Sequence, residues 1–441
     1  MSANGFHRFG PLDADWPVVR LRTVATHRSE WVSVVDDREY LRVTARTRNQ
    51  GVELRDRVPG EKIRTKRQQL VHAGDLLVAE IDAKVGGFGI VPHDLDGAVV
   101  SSHYFLFEID HSKLTQSWLD QFVRAGKLQR QVDAVGSTNY ASIRPQDVLT
   151  FQIPLPDVVE QRRASEILDT ADEAINRTER FIDALAVAKH AVMREMLTKG
   201  HAKLGAKLVP LPETWPVGRI ASTVDKMPSH WKLVTLTKLA KLESGHTPSR
   251  QHPEYWNGTI PWLSLGDTTE LKKLRVEQTS ECVTQAGIDN SSARLLPADT
   301  VVLSRTAVRG LCSRLAKPMS TSQDFVAFVC GPEVQPAYLV QLFRHMQREW
   351  RRLEQGSSPT NKTLYFTVFQ RLKILLPPPK EQAVIAEVGE SFDKRIATEV
   401  LYLEQLRQTK RGLAQALLSG RVRIGAGKTN GARAGGTAGG R

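Results

Sequence analysis

Apolar side chains recur at alternating spacings of three and four through Leu168, Ala171, Ile175, Thr178, Ile182, Leu185, Lys189, Val192 and Met196. That is the a/d seam of a heptad helix, interrupted by a lysine. A second seam runs Phe392, Ile396, Glu399, Leu403, Leu406, Lys410, Leu413, Leu417. Prolines precede each seam (Pro154 and Pro156; Pro377, Pro378 and Pro379) and a glycine follows it (Gly200; Gly420), the punctuation of a helix start and stop. The pattern predicts long helices over 156–200 and 377–420, each about 60 Å at about 1.5 Å per residue. Short apolar runs at Leu76 to Ala79, Val99 to Val100, Tyr104 to Ile109, Val301 to Leu303 and Phe325 to Val329 predict strands bounded by turn residues. Trp118 to Val132 and Pro336 to Leu353 are expected as helices.

The two helical segments are copies. A shift of 221 positions places Glu160 and Gln161 on Glu381 and Gln382, Glu166 on Glu387, Asp172 on Asp393, Lys189 on Lys410 and Leu197 on Leu418, without a gap. Upstream, Trp16 and Leu21 match Trp231 and Leu236, and Asp75 before an apolar triplet matches Asp299. One unit is thus written twice, a globular part followed by a long helix. The expected divisions are 1–155, the helix 156–200, a linker 201–230, a second globular part 231–376, the helix 377–420 and a disordered tail 421–441. The tail carries Arg421, Arg423, Lys428, Arg433 and Arg441, no acid, and mostly Gly, Ala and Thr, a composition that cannot bury a core.

With 441 residues there is chain enough for two to four domains. The 61 Lys and Arg against 48 Asp and Glu leave +13, a sign that favours a polyanion such as nucleic acid. Cys282, Cys312 and Cys330 have neither zinc spacing nor an even count, so a reducing cytoplasm is expected. No stretch of eighteen apolar residues suits a membrane, and the N-terminus has no secretory h-region.

Catalytic constellations are lacking. Asp82 and Lys84 with Asp75 or Asp56 make a triplet of the kind that chance supplies, and no HExxH, GxSxG or amino-methyltransferase tetrapeptide occurs. The tail segment Gly425 to Thr429 lacks the first glycine of a phosphate loop, Val422 standing in its place. The basic residues are better ordered. A β period puts Arg42, Thr44, Arg46 and Arg48 on one face with Leu41, Val43 and Ala45 turned inward, and Lys66 and Arg67 follow. Guanidinium forks in this arrangement suit phosphates or guanine edges of duplex DNA. In the second copy, Arg344 and Arg348 begin a stripe at helical spacing, joined by Lys272, Lys273, Arg305 and Arg309. Two polar loops, with Ser137, Asn139 and Tyr140 in one and Ser357, Ser358 and Asn361 in the other, carry short side chains that approach phosphates and base edges closely.

Ile-Pro-Leu-Pro (153 to 156) or Leu-Leu-Pro-Pro-Pro (375 to 379), then Glu-Gln, then a heptad helix closing on Leu-Thr-Lys-Gly (197 to 200) or Leu-Leu-Ser-Gly (417 to 420) resembles the specificity subunit of type I restriction-modification enzymes. Ser244 to Ser249, with Tyr255-Trp256 and Ile260-Pro261-Trp262, resembles the opening of a target recognition domain there. The resemblance covers residues 13 to 420. It implies an α+β chain of two similar mixed α/β target recognition domains, each followed by a long helix, the helices pairing as an antiparallel coiled coil. It also implies no active site and no cofactor in this chain. Each domain would read half of a split sequence in double-stranded DNA, beside methyltransferase subunits using S-adenosylmethionine and motor-nuclease subunits using ATP and Mg²⁺. An autonomous nuclease or methyltransferase, or a coiled-coil scaffold without DNA readout, are the alternatives. The segment 201–230 and the basic tail have no role in the resemblance.

Physics agrees with helix pairing, since a lone amphipathic helix of this length does not hide its seam. An antiparallel pair would act as a ruler. Deleting one heptad from both helices is expected to draw the two domains together by about 10 Å, or about three base pairs. Mapping methylated sites of that variant checks this; an unchanged gap between half-sites sinks the ruler.

Overall fold

The computed structural model describes residues 8–132, 142–200, 206–212, 224–306, 308–354 and 362–424. The chain divides into two compact units, Met1–Thr178 with Tyr402–Arg441, and Glu179–Leu401. Both divisions fall inside a long helix, Val158–Lys199 or Pro379–Leu418.

In the first unit the opening strand Val18–Arg20 pairs antiparallel with Gln152–Pro154, the strand that leads into the long helix. Between them lies an antiparallel sheet in the order Ala25–Arg28, Tyr104–Ile109, Leu76–Ala79, Phe88–Ile90. Leu76 and Val78 join Phe107 in a core with Trp118, Leu119 and Phe122 of the helix Gln116–Arg124. The alternate residues Leu77, Ala79 and Leu106 face Val43, Ala45 and Val100 of a second sheet. A strand covered on both faces has no polar side, which is why Leu76 to Ala79 reads as an unbroken apolar run. The second sheet runs Trp31–Ser33, Arg67–Leu70, Val99–Val100, Glu39–Arg46, Gly51–Pro59.

The second unit repeats this plan. Lys232–Thr235 pairs with Lys373–Leu376, and the main sheet runs Ala240–Ser244, Phe325–Cys330, Val301–Ser304, Cys312–Leu315, with Arg275–Val276 added in parallel at the edge. Val301 and Leu303 face one core while Val302 faces another, the same two-sided burial. Its second sheet is smaller: Glu281–Val283, Trp256–Leu263, Ser320–Thr321.

Three sequence expectations change. Within 201–230, expected as a plain linker, Leu208–Pro210 pairs with Lys226–Pro228, and Val209 and Leu211 pack on the core; enough apolar surface is present to dock it. The expected helix Trp118 to Val132 is Gln116–Arg124 followed by a 3₁₀ turn at Gln129–Gln131. The expected helix Pro336 to Leu353 is two, Pro336–His345 and Gln347–Leu353. They part at Met346 so that Trp350 folds back, buried, with its indole donating to the Phe343 carbonyl at 2.9 Å.

The long helices pair within each unit. In the first, Lys410 Nζ donates to Asp172 at 2.5 and 2.6 Å. In the second, Lys189 Nζ donates to Asp393 at 2.6 Å, and the Arg395 guanidinium lies 5.6 Å from the Phe181 ring centroid. Later residues of one helix meet earlier residues of the other, so both pairings are antiparallel. The lysine that interrupts each seam therefore reaches the aspartate that the repeat places opposite. The seam slips once after Lys189, where Val192 is exposed and Met193 is buried.

The Glu-Gln pair at each helix start is a buried joint. Gln161 accepts the Thr115 N–H at 2.8 Å and donates to the carbonyls of Lys113 and Pro156 at 2.8 and 2.9 Å. Gln382 repeats this with Gln335 N–H, Glu333 O and Pro377 O at 2.8, 2.9 and 2.9 Å. The neighbouring glutamates accept an indole N–H, Glu160 from Trp16 at 3.2 Å and Glu381 from Trp231 at 2.8 Å. The closing glycines meet the same indoles. Gly200 and Gly420 have φ of +79° and +74°, and a Cβ on either would lie 2.5 Å from Glu381 or 2.3 Å from Ala14. Only glycine combines that backbone with that clearance.

Truncation at this joint strands several buried polar groups, each worth roughly 1 kcal/mol or more. Gln161→Ala or Gln382→Ala is therefore expected to lower stability by about 2–4 kcal/mol, measured by urea unfolding; a loss below about 0.5 kcal/mol contradicts the role. A pH effect also follows. Burial, with His190, Arg194 and Lys189 nearby, pushes the His345 imidazole down to about 4. Since the unfolded chain binds that proton first, stability is present above about pH 6.5 and falls as the pH drops towards 4. His345→Gln is expected to flatten this part of the profile; an unchanged slope contradicts it.

Candidate nucleic-acid interface

The strand Glu39–Arg46 alternates as its sequence predicts: Val43 and Ala45 are buried, while Arg42, Thr44 and Arg46 lie on the other face. Arg48 sits beyond the strand in a turn at φ +61°. These cations are not equally available. Arg42 grips Asp56 with two bonds of 2.7 Å, holding the Asp56 carboxyl below its ordinary pKa and raising its own. Arg46 meets Glu53 at 3.1 Å with both side chains about half exposed. An exposed pair of that kind contributes about 0–1 kcal/mol and yields readily to a phosphate. Thr44 shares a hydrogen bond of 2.9 Å with Tyr104 Oη. Lys66 binds Asp36 and the Gly60 carbonyl, and the Arg67 guanidinium lies over the Trp31 ring at 4.5 Å.

Beside the strand lies a groove of about 320 Å³, lined by Arg42, Arg55, Lys62, Arg64, Gln68 and Tyr104 among others. Lys62 and Arg64 are exposed and have no acidic partner among the described residues. They project from the loop before Arg67–Leu70, where a turn over Gly60–Lys62 ends the long strand.

In the second unit the expected stripe of arginines does not form. Arg344 closes the helix Pro336–His345 and Arg348 stands on the next one. Arg344 is an internal tie: it binds Asp393 at 2.9 Å and the carbonyls of Lys273 and Cys312 at 2.6 and 3.2 Å. Its first-unit counterpart Arg124 bonds Asp120 at 2.6 Å. Arg309 is likewise engaged with nearly buried Glu354 at 2.7 Å. Arg305 lies 5.5 Å from the Phe366 ring centroid. Lys272 and Arg348 are exposed, and Lys273 meets Glu270 at 2.6 Å. Ser137, Asn139, Tyr140, Ser357, Ser358 and Asn361 lie outside the described residues.

Absent from the sequence-based set is Arg250. Its guanidinium lies 3.5 Å from the Trp256 ring centroid and 5.5 Å from that of Trp262, and forks onto Glu281 at 2.6 and 2.9 Å. The indoles donate to the Ser249 and His246 carbonyls at 3.2 and 3.1 Å, which pins the loop over 246–249. The motif Tyr255-Trp256 with Trp262 was the available signal; the arginine that completes it was not distinguishable from other surface cations.

The nuclease triplet dissolves. Asp75 is held by Arg28 and the His72 N–H, Asp56 by Arg42, and among the described residues no cluster of three metal-ligating side chains occurs.

Residues 228–408 match the family described as type I restriction modification DNA specificity domain. The chain is 21% identical over 406 residues to the type I restriction enzyme HindI specificity subunit of Haemophilus influenzae, covering 80% of this chain and 88% of that one. It is 25% identical over 182 residues to the MjaIX specificity subunit of Methanocaldococcus jannaschii, spanning 41% of this chain and 42% of that relative. Its fold is shared with a type I restriction-modification S subunit from M. genitalium, at TM-score 0.55 and 13% identity over 92% of this chain and 96% of that one. A chain from a structure on complex assembly of the type I R-M system gives TM-score 0.53 at 17% identity, over 93% and 99%. With the same domain and helix built twice, the chain carries the type I restriction modification DNA specificity domain over residues 228–408 and is similar along most of its length to type I restriction enzyme specificity subunits.

Proposed function

We propose that each globular domain reads one half of a bipartite DNA target, that the paired helices serve as the spacer, and that the chain docks methyltransferase and motor-nuclease subunits without catalysis of its own. The observation that carries this reading is one fold built twice with unlike polar faces: a groove with Lys62 and Arg64 in the first unit, an Arg250–Trp256–Trp262 cluster in the second. Equal scaffolds with different readers are what two unlike half-targets require. S-adenosylmethionine, ATP and Mg²⁺ belong, on this reading, to the partner subunits. Cys282, Cys312 and Cys330 are free thiols, in keeping with work in a reducing cytoplasm. Among the described residues no helix is long and apolar enough to cross a membrane.

In the assembled enzyme, the double variant Lys62→Ala and Arg64→Ala is expected to bind all duplexes more weakly, with the slope of log affinity against log salt reduced by about two, roughly one per lost phosphate contact. Full affinity with an unchanged slope removes the groove from the interface. Replacing residues 13–150 by those of a relative is expected to change one half of the methylated sequence and leave the other. Mg²⁺-dependent cleavage by the purified chain alone would overturn the non-catalytic reading.

A further inference from the structure

In the first unit a cavity of about 390 Å³ opens between the helix Gln116–Arg124, the turn after it and the C-terminal helix. Arg124, Lys127, Arg130, Lys410 and Arg411 line it, and no acid does. Two of these cations are matched, Arg124 by Asp120 and Lys410 by Asp172. Lys127, Arg130 and Arg411 have no acceptor for their head groups among the described residues. Lys127 is 5% exposed. A Cβ on Gly10 would lie 3.4 Å from Arg130 Nη1 and 3.5 Å from Lys127 Nζ; the two heads converge on one place. Asp13, the acid near enough to favour the charged form of Lys127, accepts the Ser419 hydroxyl at 2.8 Å. Burial, and then Arg130, hold Lys127 below its ordinary pKa, the response of a buried cation that lacks a counter-ion.

The architecture does not force this cavity. At the repeat-related place in the second unit, Gln341, Arg344 and Lys189 stand for Gln121, Arg124 and Lys410, but the space is about 180 Å³. There His345 and His190 replace Ala125 and Arg411, and their rings stack at 4.6 Å between centroids. One copy has narrowed the space with two stacked imidazole rings; the other keeps it wider, with Arg411 in place of one of them.

We propose that the first-unit cavity is a phosphate site, built to hold a phosphate or diphosphate group through Lys127, Arg130 and Arg411. Guanidinium forks and an ammonium are the donors that phosphate oxygens need, and the volume lies within the range of small-molecule sites, about 300–1,000 Å³. The group is presented either by a free phosphorylated small molecule or by a DNA backbone.

The test is calorimetric titration of the full chain with inorganic pyrophosphate, ionic strength being held constant with sodium chloride. One saturable site is expected, weakened at least about tenfold by Lys127→Met and by exposed Arg130→Gln, since each removes a charge-assisted contact. His345→Gln, in the other unit, is expected to leave it unchanged. Gln415→Glu places a carboxylate in the cavity wall; it is expected to abolish pyrophosphate binding and raise the melting temperature of the unliganded chain. Duplex DNA that displaces pyrophosphate identifies a backbone phosphate as the source; DNA that does not identifies a free phosphorylated molecule. Either result upholds the site. Binding that chloride replaces at equal ionic strength, or that survives both Lys127→Met and Arg130→Gln, overturns it.

Discussion

The structure depends on a constraint that a long helix cannot meet alone: its apolar seam must be covered along its whole length. Each unit meets it with a segment of both helices, the two running antiparallel, and each marks the register with one partly buried ion pair, Asp172 with Lys410 or Lys189 with Asp393. Such a pair adds little net stability, because desolvating both charges offsets most of their attraction. Its effect is on specificity. A slip of the seam by one turn would separate the lysine from its aspartate and leave both charges in a half-dry place.

The same aspartates tie the globular domains to the helices. Gln121 donates to Asp172 at 3.1 Å, and Gln341 to Asp393 at 2.9 Å, so the helix that carries each domain's core is indexed to the charge that sets the seam. At the helix starts, Gln161 and Gln382 satisfy three backbone groups apiece in sites from which water is excluded. The glycines at the far ends close against Trp231 or Trp16. Rigid joints of this kind leave the loops of the second sheets, and the faces turned away from the core, as the parts of each domain with the least packing duty.

Those second sheets are where the two units differ most, five strands against three, and where the candidate readers lie. Charge alone is a poor guide to which cations are readers. Arg42, Arg309 and Arg344 are spent on Asp56, Glu354 and Asp393. Lys62, Arg64, Arg130 and Arg411 have no acidic partner among the described residues, in two separate places of the first unit.

The sequence by itself determined the repeat, the two long helices, the strands of the unbroken apolar runs and the resemblance to type I specificity subunits. Each rests on local periodicity or on a contiguous motif, and heptads, Pro-Pro-Glu-Gln and runs such as Leu76 to Ala79 keep their meaning whatever surrounds them. It also singled out Lys189 and Lys410 as repeated interruptions without saying what they met. Only the tertiary structure decided that each meets the aspartate of the opposite helix, that the arginine stripe after Arg344 breaks at Met346, that Arg250 lies on Trp256, and that Lys127 lines a cavity with Arg130 and Arg411. Whether a cation is neutralised depends on partners distant along the chain, 49 positions away for Arg344 and 204 for Lys189. Charge pairing at such separations leaves no local pattern, so the fold must bring the groups together before their roles can be told apart.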